Sequence, residues 1–447
     1  MTLSFHNTLS RRKETLVPVE AGKVGLYVCG PTVYGLIHLG NARPLVVFDV
    51  LFRLLRLHFG DAHVTYVRNI TDIDDKINAA AIERGIRIRD FTADTIVAFH
   101  RDVRALGCLE PSVEPRATDH VEEMITLIGQ LVAKGHAYEA EGHVLFDVPS
   151  WPGYGRLSGN TVPDIIAGAR LDVAPYKRND ADFVLWKPSS GDLPGWESPW
   201  GYGRPGWHLE CSAMSACHLG LDFDIHGGGR DLVFPHHENE IAQTCAAHPG
   251  AGFARIWMHN GFLTVDDEKM AKSLGNFHTV RDLLEDWPGE VLRLALLGTH
   301  YRKPLDFSFD LLMQARSQIS RFYRTLQEAG DPPAVSPPDE VVDALGDDLN
   351  TPRALAVMHG LESRARKGER GAGGALRGAG GLLGILQEPA ESWLQGTKED
   401  DVVEAIARRG EARARKDFRV ADRIRDELKD RGIELMDGPG GTTWRRI

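Results

Sequence analysis

The sequence has few of the features that mark membrane-spanning, secreted or disulfide-stapled proteins. It contains no uninterrupted apolar run of the roughly 18 residues that a transmembrane helix needs. Its first residues, MTLSFHNTLSRRKETLVP, include no apolar core of the kind found in secretory signals. Only five cysteines are present, an odd number, so a disulfide framework is not expected. We therefore expect a cytoplasmic protein with no membrane partner.

Excess positive charge is also lacking, since the formal net charge of the 447 residues is −11. This value alone does not suggest a nucleic-acid partner. The charge is unevenly distributed, because residues 401–447 carry 12 Lys and Arg against 10 Asp and Glu. A basic tail on an acidic body fits contact with a phosphate backbone. It fits a solvated helical face equally well, and composition does not separate the two.

Short apolar runs alternate with helical patterns in two parts of the chain. In the first part, VGLYVCG (24–30) and HVTYVRNI (63–70) indicate buried strands on either side of a helix. In the second part, LDFDIHGGG (221–229) and ARIWMHNGF (254–262) flank a helix that follows Pro235. Strand–helix–strand units imply a parallel sheet. The sequence therefore predicts an α/β fold with a doubly wound, Rossmann-like parallel sheet built from two halves.

The remaining segments differ from these two halves. Residues 115–205 are rich in Gly, Pro and Trp, which predicts an insertion with irregular loops. After about residue 310 we expect no further strands, because apolar spacing of three and four residues predicts an α-helical bundle. GERGAGGALRGAGG (368–381) is interpreted as a flexible connection or a weak glycine-rich helix. DFRVADRIRDELKDRGIEL (417–435) predicts a last amphipathic helix, followed by a turn and a short exposed tail.

Two loops offer groups that suit phosphate. CGPTVYGLIHLGNARP (29–44) follows a strand and opens a helix, where backbone N–H groups and the helix dipole attract anions. His38, Gly40 and Asn41 lie at that junction, although the loop is neither a Walker A motif nor a G-x-G-x-x-G fingerprint. DDEKMAKSLGNF (266–277) places two lysines three residues apart on a glycine-terminated loop. Taken singly, the first loop fits a helix cap and the second a solvated turn.

The stretch FPHHENEIAQ (234–243) suggests part of a metal site. If a helix begins at Pro235, His236 and Glu240 lie four residues apart and share a face, which offers one imidazole and one carboxylate. His237 and Glu238 are then expected to point elsewhere. The alternative is an ordinary helix start whose acids complement the dipole. Two ligands do not close a site, so other parts of the chain must supply the rest.

Together these motifs resemble the class I aminoacyl-tRNA synthetases. HLGN stands where that class has its His-Ile-Gly-His signature, and KMAKS stands where it has Lys-Met-Ser-Lys-Ser. The resemblance narrows to the cysteinyl-tRNA synthetase family and covers essentially the whole chain. The stretches that carry it, in that family's order and spacing, are YVCGPTVY, YVRNITDIDDKI, EPRATDH, DFVLWK, GRPGWHLECSAM, FDIHGGGRDLVFPHHENEIAQ, KMAKSLGNF and DGPGGTTWRR.

The resemblance implies a cysteine–tRNA ligase that converts L-cysteine and ATP to cysteinyl-adenylate and transfers the cysteinyl group to tRNA(Cys). It implies one Zn²⁺ per chain for the substrate thiolate, Mg²⁺ with ATP, and a monomer. The implied zinc ligands are Cys29, Cys211, His236 and Glu240.

The resemblance implies further roles. The implied catalytic groups are His38, Asn41, Lys269 and Lys272, and the implied ATP-binding residues are His38, Gly40, Asn41, Gly228, Gly229 and Lys272. The implied amino-acid pocket consists of Thr71, Trp207 and Asp231. The implied tRNA contacts are Trp444, Arg445 and Arg446. Asn41 and Ala271 depart from the class signatures, the first replacing a histidine by an amide donor and the second losing one hydroxyl.

The predicted domain boundaries combine the pattern with the resemblance. They are 1–114 and 206–262 for the two halves of the catalytic domain, 115–205 for a connective insertion, 263–310 for a stem-contact region with the lysine loop, 311–395 for the helical bundle and 396–447 for an anticodon-binding domain.

Two other functions remain open at this point. One is a tRNA-independent, ATP-dependent ligase that joins cysteine to an amino sugar and shares the catalytic core. The ending DGPGGTTWRR is not expected in such a ligase. The other is a non-enzymatic, zinc-stabilised nucleotide-binding protein, which would leave the two lysines of KMAKS without a role.

Overall fold

The computed structural model describes residues 2–160, 174–191, 193–265, 268–270, 276–396, 400–415, 417–430, 433–438 and 441–446. The chain divides into two compact units, each made of three segments. Unit 1 comprises Met1–Ile37, Leu51–Asp102 and Leu109–Asn260, and unit 2 comprises His38–Val50, Val103–Cys108 and Gly261–Ile447. No helix within the described ranges has the length and apolar character that crossing a bilayer requires.

The strands, in chain order, are β1 (Ser4–Asn7), β2 (Arg12–Thr15), β3 (Val24–Val28), β4 (Val64–Arg68), β5 (Ala137–Ala140), β6 (His143–Phe146), β7 (Phe183–Pro188), β8 (Gly203–Pro205), β9 (Asp222–Gly229), β10 (Phe253–Asn260), β11 (Leu263–Val265), β12 (Glu268–Lys269), β13 (Leu305–Phe307), β14 (Ile433–Gly438) and β15 (Gly441–Arg446). The α-helices span Leu39–Phe59, Asp75–Arg84, Ile88–Ala105, Val121–Ala133, Trp207–Leu219, Glu238–Ala247, Val280–Asp286, Gly289–Leu297, Phe309–Glu328, Asp339–Gly346, Thr351–Arg366, Ala372–Leu383, Ala390–Gly396, Asp400–Ala414 and Phe418–Asp430.

A four-stranded sheet with the order β10-β9-β3-β4 forms the centre of unit 1. All of its neighbouring strands run parallel, which confirms the prediction of one parallel sheet made from two halves. The halves meet where Leu26 pairs with Ile225 and Val28 with Gly227. Strand order reverses at this junction, and ligands of doubly wound sheets bind at the carboxyl ends of strands at such a point. The junction of β3 and β9 is therefore the expected site.

The segment between the two halves is more regular than the sequence predicted. It contains the helix Val121–Ala133 and an antiparallel sheet with the order β5-β6-β7-β8, in addition to loops. The apolar side chains of Val144, Phe146 and Trp186 are fully buried in the core of unit 1. Strands of three to six residues, separated by long Gly- and Pro-rich loops, give too short an alternation to be recognised. The division into six segments stays a prediction.

Unit 2 contains a small sheet with the order β12-β11-β13 and a series of helices. The glycine-rich segment forms the helix Ala372–Leu383, which confirms the second of its two interpretations. Its glycines allow close approach of backbone, since a Cβ atom added at Gly378 would lie 2.0 Å from the carbonyl oxygen of Val335. Packing therefore compensates for the low helix propensity of glycine.

The C-terminal end of unit 2 corrects three predictions: the end of the last helix, the exposed tail, and the expectation of no further strands after about residue 310. The last helix ends at Asp430 instead of continuing to residue 435, and the strands β14 and β15 follow it as an antiparallel hairpin. Ile433, Leu435 and Trp444 belong to an apolar cluster with the last two helices, so the closing residues are not simply an exposed tail. The apolar residues of β14 alternate with a period of two. This pattern was not recognised in the sequence because it continues the apolar positions of the preceding helix.

Arg293 connects the three segments of unit 2. Its fully buried guanidinium donates to the carbonyl oxygens of Leu106, at 3.1 Å, and Leu383, at 2.5 Å. It also forms an ion pair with Asp49, which is nearly as deeply buried. Removing one member of such a pair leaves an uncompensated charge in the protein interior.

Arg293→Ala is therefore expected to lower the stability of unit 2 by about 3–5 kcal/mol, because Asp49 loses its partner. The midpoint of urea unfolding, followed by circular dichroism, measures this effect. Arg87→Ala is the control, since Arg87 is exposed and pairs with Asp90 on the surface of unit 1. The control should leave the midpoint unchanged, and equal shifts for both variants would contradict the role of Arg293.

Candidate metal centre and signature turn

The candidate metal centre lies at the carboxyl ends of β3 and β9. Cys29 directly follows β3, and its N–H donates to the carbonyl oxygen of Gly227 in β9 at 3.2 Å. Cys211 lies in the helix Trp207–Leu219. His236 and Glu240 come from the segment that connects β9 to β10. The topology of the parallel sheet therefore brings these four residues, far apart in sequence, to one place.

The distances among these four side chains fit a metal ion. The Sγ atoms of Cys29 and Cys211 are 3.6 Å apart, and Oε1 of Glu240 lies 3.7 Å from Cys29 Sγ and 3.0 Å from His236 Nε2. The four candidate ligand atoms all lie within 4.8 Å of one another. A tetrahedral zinc ion with Zn–S bonds of about 2.3 Å holds two sulfurs about 3.8 Å apart. The donor set and the sulfur separation both fit zinc.

The turn before the helix Glu238–Ala247 corrects one expectation and supports another. Regular α-helix begins at Glu238, after a wider π-helical turn that includes Pro235, so the proline is not in the first α-helical turn. His236 and Glu240 nevertheless face each other as predicted. Glu238 points elsewhere, accepting hydrogen bonds from the N–H groups of Leu157 and Ser158.

His237 was expected to point away from the site, and this expectation was wrong. Its Nε2 lies 3.2 Å from Cys29 Sγ, so Cys29, His226, His237 and Glu240 form a second, overlapping group of possible ligands. His226 Nε2 lies 2.7 Å from Oε2 of Glu240, and His237 Nδ1 lies 2.7 Å from His259 Nε2. The wide turn swings His237 inward, which ideal helical geometry does not anticipate.

Two sequence signals pointed to these additional histidines. His226 lies between Ile225 and the glycines that end β9, and a polar side chain buried there requires a partner. His237 precedes Glu240 by three residues, a spacing that also places side chains near one another.

Burial controls the protonation of this cluster. It raises the pKa of the thiols of Cys29 and Cys211, and it raises the pKa of Glu240. It lowers the pKa of His236 and His237 well below the usual range. The protein groups alone therefore favour neutral forms in this site. A bound cation reverses this preference for the thiols, because the metal stabilises the thiolate.

The residues predicted for the amino-acid pocket have different surroundings within unit 1. The half-exposed Trp207 stacks on His236 with ring centroids 4.4 Å apart, so it covers one side of the candidate metal centre. Thr71 is buried, and its hydroxyl donates to Oε2 of Glu210 at 2.8 Å. Asp231 is exposed, at the short helix that follows β9. Trp207 thus lies at the cluster, whereas the hydroxyl of Thr71 is hydrogen-bonded to the buried carboxyl group of Glu210.

The glycines predicted to bind ATP end β9. A Cβ atom on Gly228 would lie 2.9 Å from ring atoms of His237, and one on Gly229 would lie 2.4 Å from Oδ1 of Asp231. Any side chain at Gly228 would therefore push against the ring of His237. Close packing thus favours glycine at Gly228.

The signature turn His38–Asn41 lies in unit 2, where it starts the helix Leu39–Phe59. Nδ1 of His38 accepts a hydrogen bond from the N–H of Gly40 at 3.1 Å, which fixes the ring. The ring contacts Phe277 at 5.1 Å between centroids, and a Cβ atom on Gly40 would lie 3.2 Å from Cε of Met270. Two residues of the predicted lysine loop, Met270 and Phe277, therefore lie close to this turn.

The lysine loop itself is only partly described. The backbone of Lys269 belongs to β12 and pairs with Thr264, whereas Lys272 lies outside the described residues.

The predicted tRNA-contacting residues lie on β15. The indole of Trp444 is partly buried against the apolar cluster of the last two helices. The backbones of Arg445 and Arg446 pair with Glu434 and Ile433 of β14. Trp444 therefore has a packing role in this hairpin.

Family models, sequence relatives and a solved structure all match this chain to aminoacyl-tRNA synthetases. The family model of the tRNA synthetases class I (C) catalytic domain matches residues 15–317, and the DALR domain model matches residues 340–388. The cysteine–tRNA ligase of Acidiphilium cryptum is 57% identical over 99% of both chains, and that of Rhodospirillum rubrum is 58% identical over the full length of both. The structure of Mycobacterium tuberculosis methionyl-tRNA synthetase in complex with methionyl-adenylate has 16% identity and a TM-score of 0.60, covering 83% of this chain and 93% of that one.

The two overlapping ligand groups predict different results for metal content. We expect Cys211→Ser and His236→Ala each to remove one equivalent of zinc, measured by mass spectrometry of metals after dialysis. His226→Ala and His237→Ala should retain that equivalent with about 10- to 100-fold weaker affinity, because these rings act as outer partners. Loss of zinc in His237→Ala, with retention in His236→Ala, would instead assign the overlapping group.

Proposed function

The chain belongs to the cysteine–tRNA ligase family of class I aminoacyl-tRNA synthetases, and we propose that it activates L-cysteine with ATP and charges tRNA(Cys). A carboxylate oxygen of cysteine attacks the α-phosphorus of ATP, which forms cysteinyl-adenylate and releases pyrophosphate. The terminal ribose hydroxyl of the tRNA then attacks the activated carbonyl carbon, and AMP leaves. The buried cluster at the end of β3 carries this proposal, because it offers a mixed sulfur, nitrogen and oxygen site for recognising the substrate sulfur.

We assign the zinc site to Cys29, Cys211, His236 and Glu240. When bound there, Zn²⁺ supplies a soft Lewis acid that favours a thiolate over a hydroxyl group. Serine differs from cysteine by one atom, and an apolar pocket alone rejects so close an isostere weakly. Discrimination by sulfur affinity therefore explains why the site contains a metal-binding cluster.

The histidines around the cluster orient its ligands. His226 Nε2 holds one oxygen of Glu240, which leaves Oε1 directed toward Cys29 and His236. His208 lies against the other side of His236, with their Nδ1 atoms 2.9 Å apart. Such contacts fix the directions of Glu240 and His236 before a metal binds.

The other roles follow from the family. Trp207 and Thr71 flank the cysteine substrate, with Asp231 at the edge of that pocket. Gly228 and Gly229 allow the adenosine to lie against backbone. His38, Gly40 and Asn41 bind phosphoryl oxygens, and Lys269 and Lys272 neutralise the departing pyrophosphate together with Mg²⁺. Positioning and charge stabilisation carry the rate, since no covalent intermediate with a side chain is needed.

We further propose that the enzyme acts as a monomer in the reducing environment of the cytoplasm. The five cysteines are free in the structure, and the function of Cys29 and Cys211 requires thiols. A tRNA-independent ligase that joins cysteine to an amino sugar is the second candidate, because it would share the cluster. The hairpin of β14 and β15 favours the tRNA ligase, since it completes a C-terminal module that an amino-sugar substrate does not need.

The double variant Arg445→Ala, Arg446→Ala separates the two candidates. It should leave cysteine-dependent exchange of pyrophosphate into ATP unchanged but raise KM for tRNA(Cys). Because each arginine that contacts phosphate releases about one counterion, the slope of log affinity against log salt should fall by about one per arginine. Arg364→Ala, an exposed arginine paired with Glu369, is the control for lost charge. An unchanged KM and salt slope would favour the amino-sugar ligase.

A further inference from the structure

A second cluster of metal-binding side chains occurs in unit 1 and shares no residue with the first. Its members are His120, Cys217 and His218, whose candidate ligand atoms lie within 4.8 Å of one another. His120 directly precedes the helix Val121–Ala133, and the other two residues belong to the last turn of Trp207–Leu219. Two helix ends therefore bring two imidazoles and one thiol together. None of these residues takes part in the proposed aminoacylation.

The hydrogen bonds of His120 fix which nitrogen is available. Its Nδ1 lies 2.8 Å from the carbonyl oxygen of Arg116, and because a carbonyl only accepts, Nδ1 must carry the proton. In the neutral ring, Nε2 of His120 is then an acceptor, and its lone pair becomes available to a metal once His218 no longer donates to it. This nitrogen lies 3.0 Å from Nε2 of His218. An imidazole anchored through Nδ1–H to a backbone carbonyl, with Nε2 directed inward, is the usual arrangement of a metal-ligating histidine.

The surroundings of the cluster favour a cation. Cys217 and His218 lie at the C-terminal, partially negative end of their helix. Glu122 and Glu123 are in the first turn of the other helix and offset its positive end. Both glutamates and Cys217 line a cavity of about 370 Å³, which gives access to solvent and room for a further oxygen ligand.

We propose that His120, Cys217 and His218 form a second binding site for a divalent transition-metal ion, and that Zn²⁺ is the ion that suits it best. Two imidazoles, one thiolate and an oxygen from water or a glutamate complete a four-coordinate site of mixed donors. On binding, the Cys217 thiol releases its proton to solvent as the sulfur–metal bond forms. The proton of His218 moves from Nε2 to Nδ1 through solvent, so Nε2 becomes a ligand. No oxidant or reductant takes part.

The zinc stoichiometry of the full-length chain tests this site. After equilibrium dialysis at micromolar free Zn²⁺, the unmodified chain should retain two equivalents, and Cys217→Ser and His120→Ala should each retain one. Cys245→Ser is the matched control, because Cys245 is partly buried on another helix and belongs to neither group of ligands. It should retain two equivalents. Cysteine-dependent pyrophosphate exchange should be the same for Cys217→Ser and the unmodified chain.

A second measurement separates this site from the first. In the Cys211→Ser chain, Co²⁺ should still produce a sulfur-to-cobalt charge-transfer band, and adding Cys217→Ser should abolish it. If the first site binds no metal but the second one does, the cobalt band of the Cys211→Ser chain should equal that of the unmodified chain. A full complement of zinc in Cys217→Ser, or no cobalt band in Cys211→Ser, would show that the histidines form a simple hydrogen bond and would overturn the proposal.

Discussion

The close approach of a buried thiol, Cys211, and a partly buried thiol, Cys29, is the constraint on which the functional part of unit 1 depends. The sulfurs of Cys29 and Cys211 lie 3.6 Å apart, with a carboxylate and several imidazoles around them. Burial favours the neutral forms of these groups. A cation resolves the conflict between burial and the need for charged ligands, because it stabilises thiolate and carboxylate while histidine remains neutral. The same property makes the cluster suited to a sulfur-containing substrate.

The architecture of unit 1 supplies this cluster through its sheet topology. Cys29 follows the first strand of one half, and the turn that follows β9 provides His236 and Glu240 from the other half. The halves meet by direct pairing of β3 with β9, so the register of that pair fixes the distance between the ligands. Gly228 permits this arrangement because a side chain there would collide with the ring of His237.

The parts of the structure that could be predicted are those with strong and local signals. The four strands of the parallel sheet were recognisable because apolar runs end at glycine or polar residues, as in VGLYVCG. The spacing of His236 and Glu240 was sufficient to place them face to face. The inward position of His237 was not predictable, because the wider turn before Glu238 changes the direction of a single side chain. The sheet of β5–β8 and the hairpin of β14 and β15 were missed because their strands are short or continue a helical pattern. His120, Cys217 and His218 carry no sequence signal as a group, since tertiary packing alone brings them together.

The central claim is that the Cys29 cluster binds a metal that takes the sulfur of the substrate. The most direct test is the absorption spectrum of the Co²⁺-substituted chain with Cys217→Ser, titrated with cysteine and then with serine. That substitution removes the thiolate of the second proposed site. We expect the sulfur-to-cobalt charge-transfer band to grow with cysteine and to stay unchanged with serine. An unchanged band at saturating cysteine would show that the metal serves only to hold the fold together.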